Sequence, residues 1–427
     1  LTTIAIGLLV MARTFQYYDS LLWGWDAQFY YAAARSLVFD GDLDLTNDIP
    51  CTPRTAPFDR DQDGTMEFFP RDSTGRVINK YPVGLSLVEV PWLALGHTLR
   101  TAASLFGTRV ESPPGYSAIE TNIVAIGLLM VFAVGLQAHY STFRSWAPWY
   151  WCALGIIGAW WGTSLLYYSC VFPFMAHAMS FSIISIVLYM VSRPTVFIRA
   201  NWSLAFVGAL IGLLYLVRPQ QAILAPLLLP RLSRLVRQPR RTWVVGAVSG
   251  ATACAALVGF QALVNHANLG VYTFNSYAAG GEGFSWLTPR FGTVLASPSR
   301  GLLWISPVVV VSLMGYALVR RWPYPCSTVL VISMINLYLI ACWSSPEQGD
   351  SFGARMWCDS AAMVSCGIIL LHRSGRVMWS LAALAVAGCC LWTGCLMALY
   401  LKGGIPAYAS YADVLSGLSR LVSAPPP

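Results

Sequence analysis

Ser203–Pro230 reads SLAFVGALIGLLYLVRPQQAILAPLLLP. A helix needs about 20 apolar residues to cross a ~30 Å hydrocarbon core, so one helix here would be long enough. It would, however, bury Arg218 in mid-membrane at a cost of about 2.5–3.5 kcal/mol or more. Two short helices meeting at Arg218-Pro219 instead turn the break into a bend close to the outer surface. The split reading is preferred, and it bears on the sidedness of the whole chain.

The composition sets the context for that choice. The chain has 427 residues, of which 56% are hydrophobic and only 11% charged. Soluble domains carry about 25% charged residues, so an integral membrane protein is expected. Clear apolar runs lie near 117–140, 148–168, 171–192, 242–265, 301–319, 325–343, 357–371 and 377–400, with a shorter one at 1–13. The chain starts at Leu1 without Met and is apolar at once, so a first span truncated at its cytoplasmic end is expected rather than a cleaved signal peptide. A second ambiguous stretch, Pro82–Leu99 (PVGLSLVEVPWLALGHTL), is interrupted by Glu89, Pro91 and His97 and reads as lying at the interface or dipping in.

Charge ties the two choices together. With Pro82–Leu99 interfacial and Ser203–Pro230 split, the loops around Arg144, Arg193/Arg199, Arg231–Arg241, Arg320/Arg321 and Arg373/Arg376 all face the cytoplasm. They hold twelve Arg and no acid, while all nineteen Asp and Glu fall outside. Changing only one choice sends RLSRLVRQPRR outside, against the positive-inside rule. The expected fold is an all-α polytopic membrane protein of about eleven transmembrane helices, N-terminus in and C-terminus out. It forms a single domain over 1–427: a large first outer loop with interfacial helices (14–116), the remaining bundle (117–400) and an outer tail (401–427) expected to be floppy. The net charge of +8 then reflects sidedness, and no nucleic-acid partner is implied. No tandem repeat is present.

Eleven of the nineteen acids lie between Asp19 and Asp72, so the water-facing chemistry concentrates in the first outer loop. Ala27–Val38 (AQFYYAAARSLV) suits a helix in the interface, with Tyr30 at headgroup depth and Asp26 at its N-cap. A capping Asp needs no catalytic role, and both uses of Asp26 stay open. FDGDLDLTND follows, where Asp42 and Asp44 alternate with Leu43 and Leu45; an extended segment would set the carboxylates on one side, and a solvated turn is the alternative. Asp59-Arg60-Asp61-Gln62-Asp63-Gly64 begins like a calcium loop, yet position twelve is Pro70 instead of Glu. Asp59, Asp61 and Asp63 are therefore a candidate Ca or Mg site, while no cofactor is required. The eleven Cys form no CxxC pair and no His/Cys cluster, so no zinc site is expected. A disulfide among Cys51, Cys170, Cys342 and Cys358 is left open.

Asp26 with Tyr30-Tyr31 and Ala34-Arg35-Ser36-Leu37, then Asp40-Gly41-Asp42-Leu43 and Asn79-Lys80-Tyr81-Pro82-Val83-Gly84, form an ordered series. It continues through Tyr167-Tyr168, His177-Ala178, Ser180-Phe181, Leu216-Val217-Arg218-Pro219, Glu282-Gly283-Phe284, Gly301-Leu302-Leu303 and Ser351-Phe352-Gly353-Ala354-Arg355. In order and sidedness the chain resembles the GT-C superfamily of polytopic glycosyltransferases. More narrowly, it is similar to bacterial relatives of the protein O-mannosyltransferases and of the aminoarabinose and galacturonic acid transferases. The resemblance implies a polyprenyl-phosphate sugar donor, transfer on the outer face of the bacterial inner (plasma) membrane with inversion, and a lipid, glycan or protein acceptor. It also implies an acidic base in the first outer loop, at the position of Asp26. The protein mannosyltransferases carry Asp-Glu there, whereas this chain has Asp26-Ala27.

The chemistry of such a transfer asks for a carboxylate to take the acceptor's proton and fixed positive charge for the leaving phosphate. Asp26, with Asp42 or Asp44 as helper or alternative, answers the first need. Arg218, Arg355 and Lys80 answer the second, Arg offering a bidentate fork that Lys lacks. Arg218 as a snorkelling anchor, Arg355 paired with Asp350 or Asp359, and Lys80 anchoring to lipid are the competing uses. Tyr30, Tyr81, His177, Glu282 and a stacking Trp286 are candidate substrate contacts. A carrier for lipid-linked sugars or a non-catalytic assembly protein would use the same residues without the chemistry.

Overall fold

In the computed structural model the chain is described over residues 2–18, 20–48, 71–107, 110, 112–192, 201–228, 240–279, 281–349, 351–406 and 408–423. Among these residues it is all-helical, with no β-strand and two isolated bridges, Arg71–Val77 and Phe284–Trp343. The long elements are α1 (Thr2–Tyr18), α2 (Trp25–Arg35), α3 (Gly84–Leu105), α4 (Ala118–Phe143), α5 (Trp149–Trp161), α6 (Ala176–Ser192) and α7 (Asn201–Val217). They are followed by α8 (Arg240–Leu269), α9 (Val308–Leu318), α10 (Cys326–Cys342), α11 (Ala361–Leu370), α12 (Arg376–Leu401) and α13 (Tyr411–Ser423).

Among the described residues, three helices are long and apolar enough to cross a membrane: Ala118–Phe143, Val244–Leu269 and Val377–Leu401. Shorter apolar helices cover Thr2–Gln16, Ala176–Ser192, Ser203–Val217, Val308–Leu318 and Cys326–Cys342. Their placement within the bundle is unequal. Every residue of α11 is buried, as is most of α6, whereas α8 and α12 turn Val245, Val248, Leu263, Leu381, Leu384 and Leu391 outward. These two helices therefore form the rim of the bundle and α6 and α11 its interior, and the exposed apolar faces are consistent with a membrane protein.

The split of Ser203–Pro230 is present in the backbone. Helix α7 stops at Val217, and a 3₁₀ stretch runs over Pro219–Leu228. Arg218 sits at the joint, its N–H donating to Leu214 O at 2.8 Å. Most of Pro82–Leu99 belongs to one continuous helix, α3 (Gly84–Leu105), which runs through Pro91 and is not among the helices long and apolar enough to span. Glu89 is fully buried, and His97 Nδ1 lies 3.0 Å from Glu120 Oε1, where α3 packs against the start of α4.

Ala27–Ser36 is buried throughout, so α2 packs inside the protein, while the π-turn that follows (Ser36–Asp40) runs out to an exposed Asp40. Gly24, with φ 82°, holds the N-cap of α2, and Asp26 falls within the first helical turn. A residue without Cβ takes that backbone readily, which releases the Asp26 carboxylate from capping. Asp42 and Asp44 are not an extended strip. Asp42 accepts from Ser36 Oγ (2.7 Å) and the Asp44 N–H (3.0 Å), and Asp44 accepts from Thr46 and pairs with Arg76 (3.2 Å). These are side-chain-to-backbone turns. In the tail, α13 is a helix packed on α12, with Tyr411 edge-on to Trp304 at 4.9 Å.

One close approach holds the start of α3 against the Arg218 joint. A Cβ on Gly84 would lie 2.4 Å from the Leu216 carbonyl carbon and 2.5 Å from Val217 N. Gly84→Val is therefore expected to destabilise by about 1–3 kcal/mol, read as a lower melting temperature in detergent. An unchanged melting temperature would mean that this contact carries no strain.

Candidate active site

Three segments far apart in sequence meet around Asp26. The first is α2, whose opening turn presents Asp26 and Tyr30. The second is the strap Asn79–Val83. Its turn is set by Asn79 Oδ1 accepting from the Tyr81 N–H (2.9 Å), and the Val83 N–H donates to Gln261 Oε1 of α8 (3.1 Å). The third is the loop before α11, where Gly349 (φ 65°) and Gly353 (φ 63°) turn the chain and Gln348 Oε1 accepts from the Met356 N–H (2.8 Å). That loop delivers Arg355.

Asp26 is engaged on both oxygens. Tyr81 Oη donates to Oδ1 at 2.7 Å, and Arg355 Nη1 lies 2.9 Å from Oδ2. Tyr81 is wedged between the rings of Phe29 and Tyr30, each 5.3 Å away, and meets the edge of Tyr277 at 6.2 Å. Burial, followed by the nearby Asp26 charge, pushes the Tyr81 hydroxyl well above its ordinary pKa; burial also raises Tyr277, to about 12. Both phenols therefore stay protonated at neutral pH, and Tyr81 is a fixed donor to the carboxylate. Burial opposes the Arg355 charge, but Asp26 and the surrounding tyrosines more than offset it, and its pKa is raised.

The other cations surround the same space. Lys80 Nζ pairs with Glu282 and sits 5.7 Å from the Tyr81 ring centre and 6.0 Å from that of Tyr277. Arg218 donates from Nη1 to His177 Nδ1 (2.7 Å), and its Nε is 3.3 Å from Asp359 Oδ2. Arg218 Nη1 also lies 3.4 Å from His177 Nε2, and because a guanidinium only donates, the ring nitrogen it bonds is an unprotonated one.

A cavity of about 340 Å³ joins these groups. Its polar wall is Asp26, Lys80, His177, Arg218, Glu282 and Arg355, with Tyr30, Tyr81 and Tyr277 beside them. The apolar part of its lining is made by Met175, Phe284, Leu339, Ile340, Trp343 and Met356. Two carboxylates, two arginines and a lysine thus share one volume of ligand size with apolar side chains. Compared with family models, with curated proteins and with solved structures, the chain finds no match in any of the three.

Eight of the eleven residues singled out from sequence line this cavity: Asp26, Tyr30, Lys80, Tyr81, His177, Arg218, Glu282 and Arg355. Asp42 and Asp44 do not; they shape the turns described above. Trp286 also stands outside the lining, stacked 4.6 Å behind Phe284 and half exposed. Arg355 pairs with Asp26 instead of Asp359, and Asp350 lies outside the described residues, as do Asp59, Asp61 and Asp63. Among the described residues no group of three or more His, Cys, Asp or Glu is placed to hold a metal. Cys170, Cys342 and Cys358 are free thiols, and Cys51 lies outside the described residues. Sequence reasoning missed Tyr277, Gln220 and Gln348 in the lining. No charge or periodicity sets them apart from other loop residues.

Proposed function

We propose that the chain is a GT-C-type membrane glycosyltransferase of about eleven spans, N-terminus cytoplasmic and C-terminus outside. It moves a sugar from a polyprenyl-phosphate donor to an acceptor hydroxyl on the outer face of the bacterial inner membrane, with inversion. The observation that carries this reading is the meeting of the Asp26 carboxylate with Arg218, Arg355 and Lys80 in one cavity whose lining is partly apolar. In a single displacement the acceptor oxygen attacks the anomeric carbon and its proton passes to Asp26. The bond from that carbon to the phosphate oxygen breaks, and the electron pair leaves with the phosphate.

The cations answer the charge that develops on the leaving group. Arg355 bridges the two halves of the reaction, since it touches the base and faces the phosphate side. Glu282 pairs with Lys80, and a ligand phosphate competes with it for the ammonium. Leu339, Ile340 and Trp343 offer the first isoprene units an apolar surface. The test is incubation of the purified chain with a panel of labelled polyprenyl-phosphate sugars and acceptors. Release of polyprenyl phosphate coupled to a glycosylated acceptor is expected for at least one donor. Donor binding without release would favour a carrier, and neither binding nor release would overturn the assignment.

A further inference from the structure

Arg218 is 8% exposed, and a guanidinium so buried needs its donors matched. One side of it is held from behind. Asp359, whose side chain is fully buried, accepts from Ser180 Oγ on Oδ1 and from Gln221 Nε2 on Oδ2 at 2.5 Å, and takes Arg218 Nε at 3.3 Å on that second oxygen. Ser180 comes from α6, Gln221 from the 3₁₀ stretch after α7, and Asp359 from the turn leading into α11. None of the three lines the cavity. His177 takes Nη1, and Gln220, with its amide oxygen turned towards Arg218, accepts from Nη2 and lies 2.8 Å from Nε, so that it shares the single Nε hydrogen with the Asp359 ion pair. Gln220 does line the cavity.

We propose that Asp359 is a positioning residue. With Ser180 and Gln221 it locks Arg218 so that the Nη2 edge points into the cavity, where a phosphate oxygen displaces the Gln220 amide. The ligand class is a lipid phosphate, so this inference rests on the phosphate-site reading above. Three elements converge on one carboxylate, which fixes the fork before any ligand arrives. A preset fork binds a phosphate without first ordering a long, flexible side chain. Asp359 partly neutralises Arg218, and its contribution is direction more than charge.

The experiment compares binding of a polyprenyl phosphate with that of the same-length polyprenol, followed by tryptophan fluorescence on the full chain in detergent; Trp25 and Trp343 line the cavity. The wild type is expected to prefer the phosphate. Asp359→Asn should lose at least about tenfold in phosphate affinity, with polyprenol binding and melting temperature retained. Arg218→Ala should lose the same preference, and the double variant should lose no more. Gln221→Leu, which leaves both charges in place, should fall in the same direction by less; it carries the test if Asp359→Asn does not fold.

Phosphate affinity kept in Asp359→Asn but lost in Arg218→Ala would overturn the role of Asp359 and leave the proposed function standing. Equal loss of phosphate and polyprenol binding would also overturn it, as a general disturbance of the site. A wild type with no preference for phosphate would overturn the lipid-phosphate reading itself.

Discussion

Asp26→Asn is expected to lower transfer by about 10²–10⁴-fold while the protein inserts, folds and binds donor as before. The substitution keeps the shape of the side chain. An Asn oxygen still accepts from Tyr81 Oη or Arg355 Nη1, the two partners at 2.7 and 2.9 Å. What disappears is the group that takes the acceptor's proton. Asp26 and Arg355 are each only 21% exposed at the side chain, so the lost ion pair is expected to lower the melting temperature somewhat, and the isosteric Asn keeps the loss smaller than a truncation would. The measurement is single-turnover release of polyprenyl phosphate beside an equilibrium donor-binding titration. Wild-type turnover in the variant would remove Asp26 from the reaction.

The apolar runs were legible because lipid demands hydrophobicity over whole helices, and a run such as Ala118–Phe143 or Val377–Leu401 cannot be mistaken for a surface helix. Arg218 was legible because a charge inside an apolar run is expensive and stands out. The buried turn chemistry was not. Asp42 and Asp44 look like Asp26 in sequence, and only the fold separates a carboxylate that accepts its own loop's N–H groups from one that faces a tyrosine and an arginine. Asp26 itself was misread as a cap because Gly24 precedes it by two residues, and the backbone freedom that makes Gly24 the N-cap leaves no trace in the pattern of charges. Asp359 was visible only as a possible partner for Arg355. Its true neighbours, Arg218, Gln221 and Ser180, lie 138 to 179 residues away in the chain, beyond the reach of any local pattern.

Arg355→Ala is the second large effect, with an expected loss of about 10²–10³-fold in turnover and a raised KM for donor. In the proposed displacement Arg355 would serve both partners: it holds Asp26 Oδ2 at 2.9 Å, and it lines the cavity assigned to the phosphate. Arg355→Lys should recover only part of the loss, because an ammonium cannot give one donor to the carboxylate and a second, fixed in the same plane, to a phosphate oxygen. The decisive comparison is with Asp26→Asn. Groups that act as a unit are not additive, so the Asp26→Asn/Arg355→Ala double variant should fall within about threefold of the Asp26→Asn value. Full additivity of the two losses would mean that Arg355 acts on the phosphate alone, and that its contact with Asp26 has no part in the chemistry.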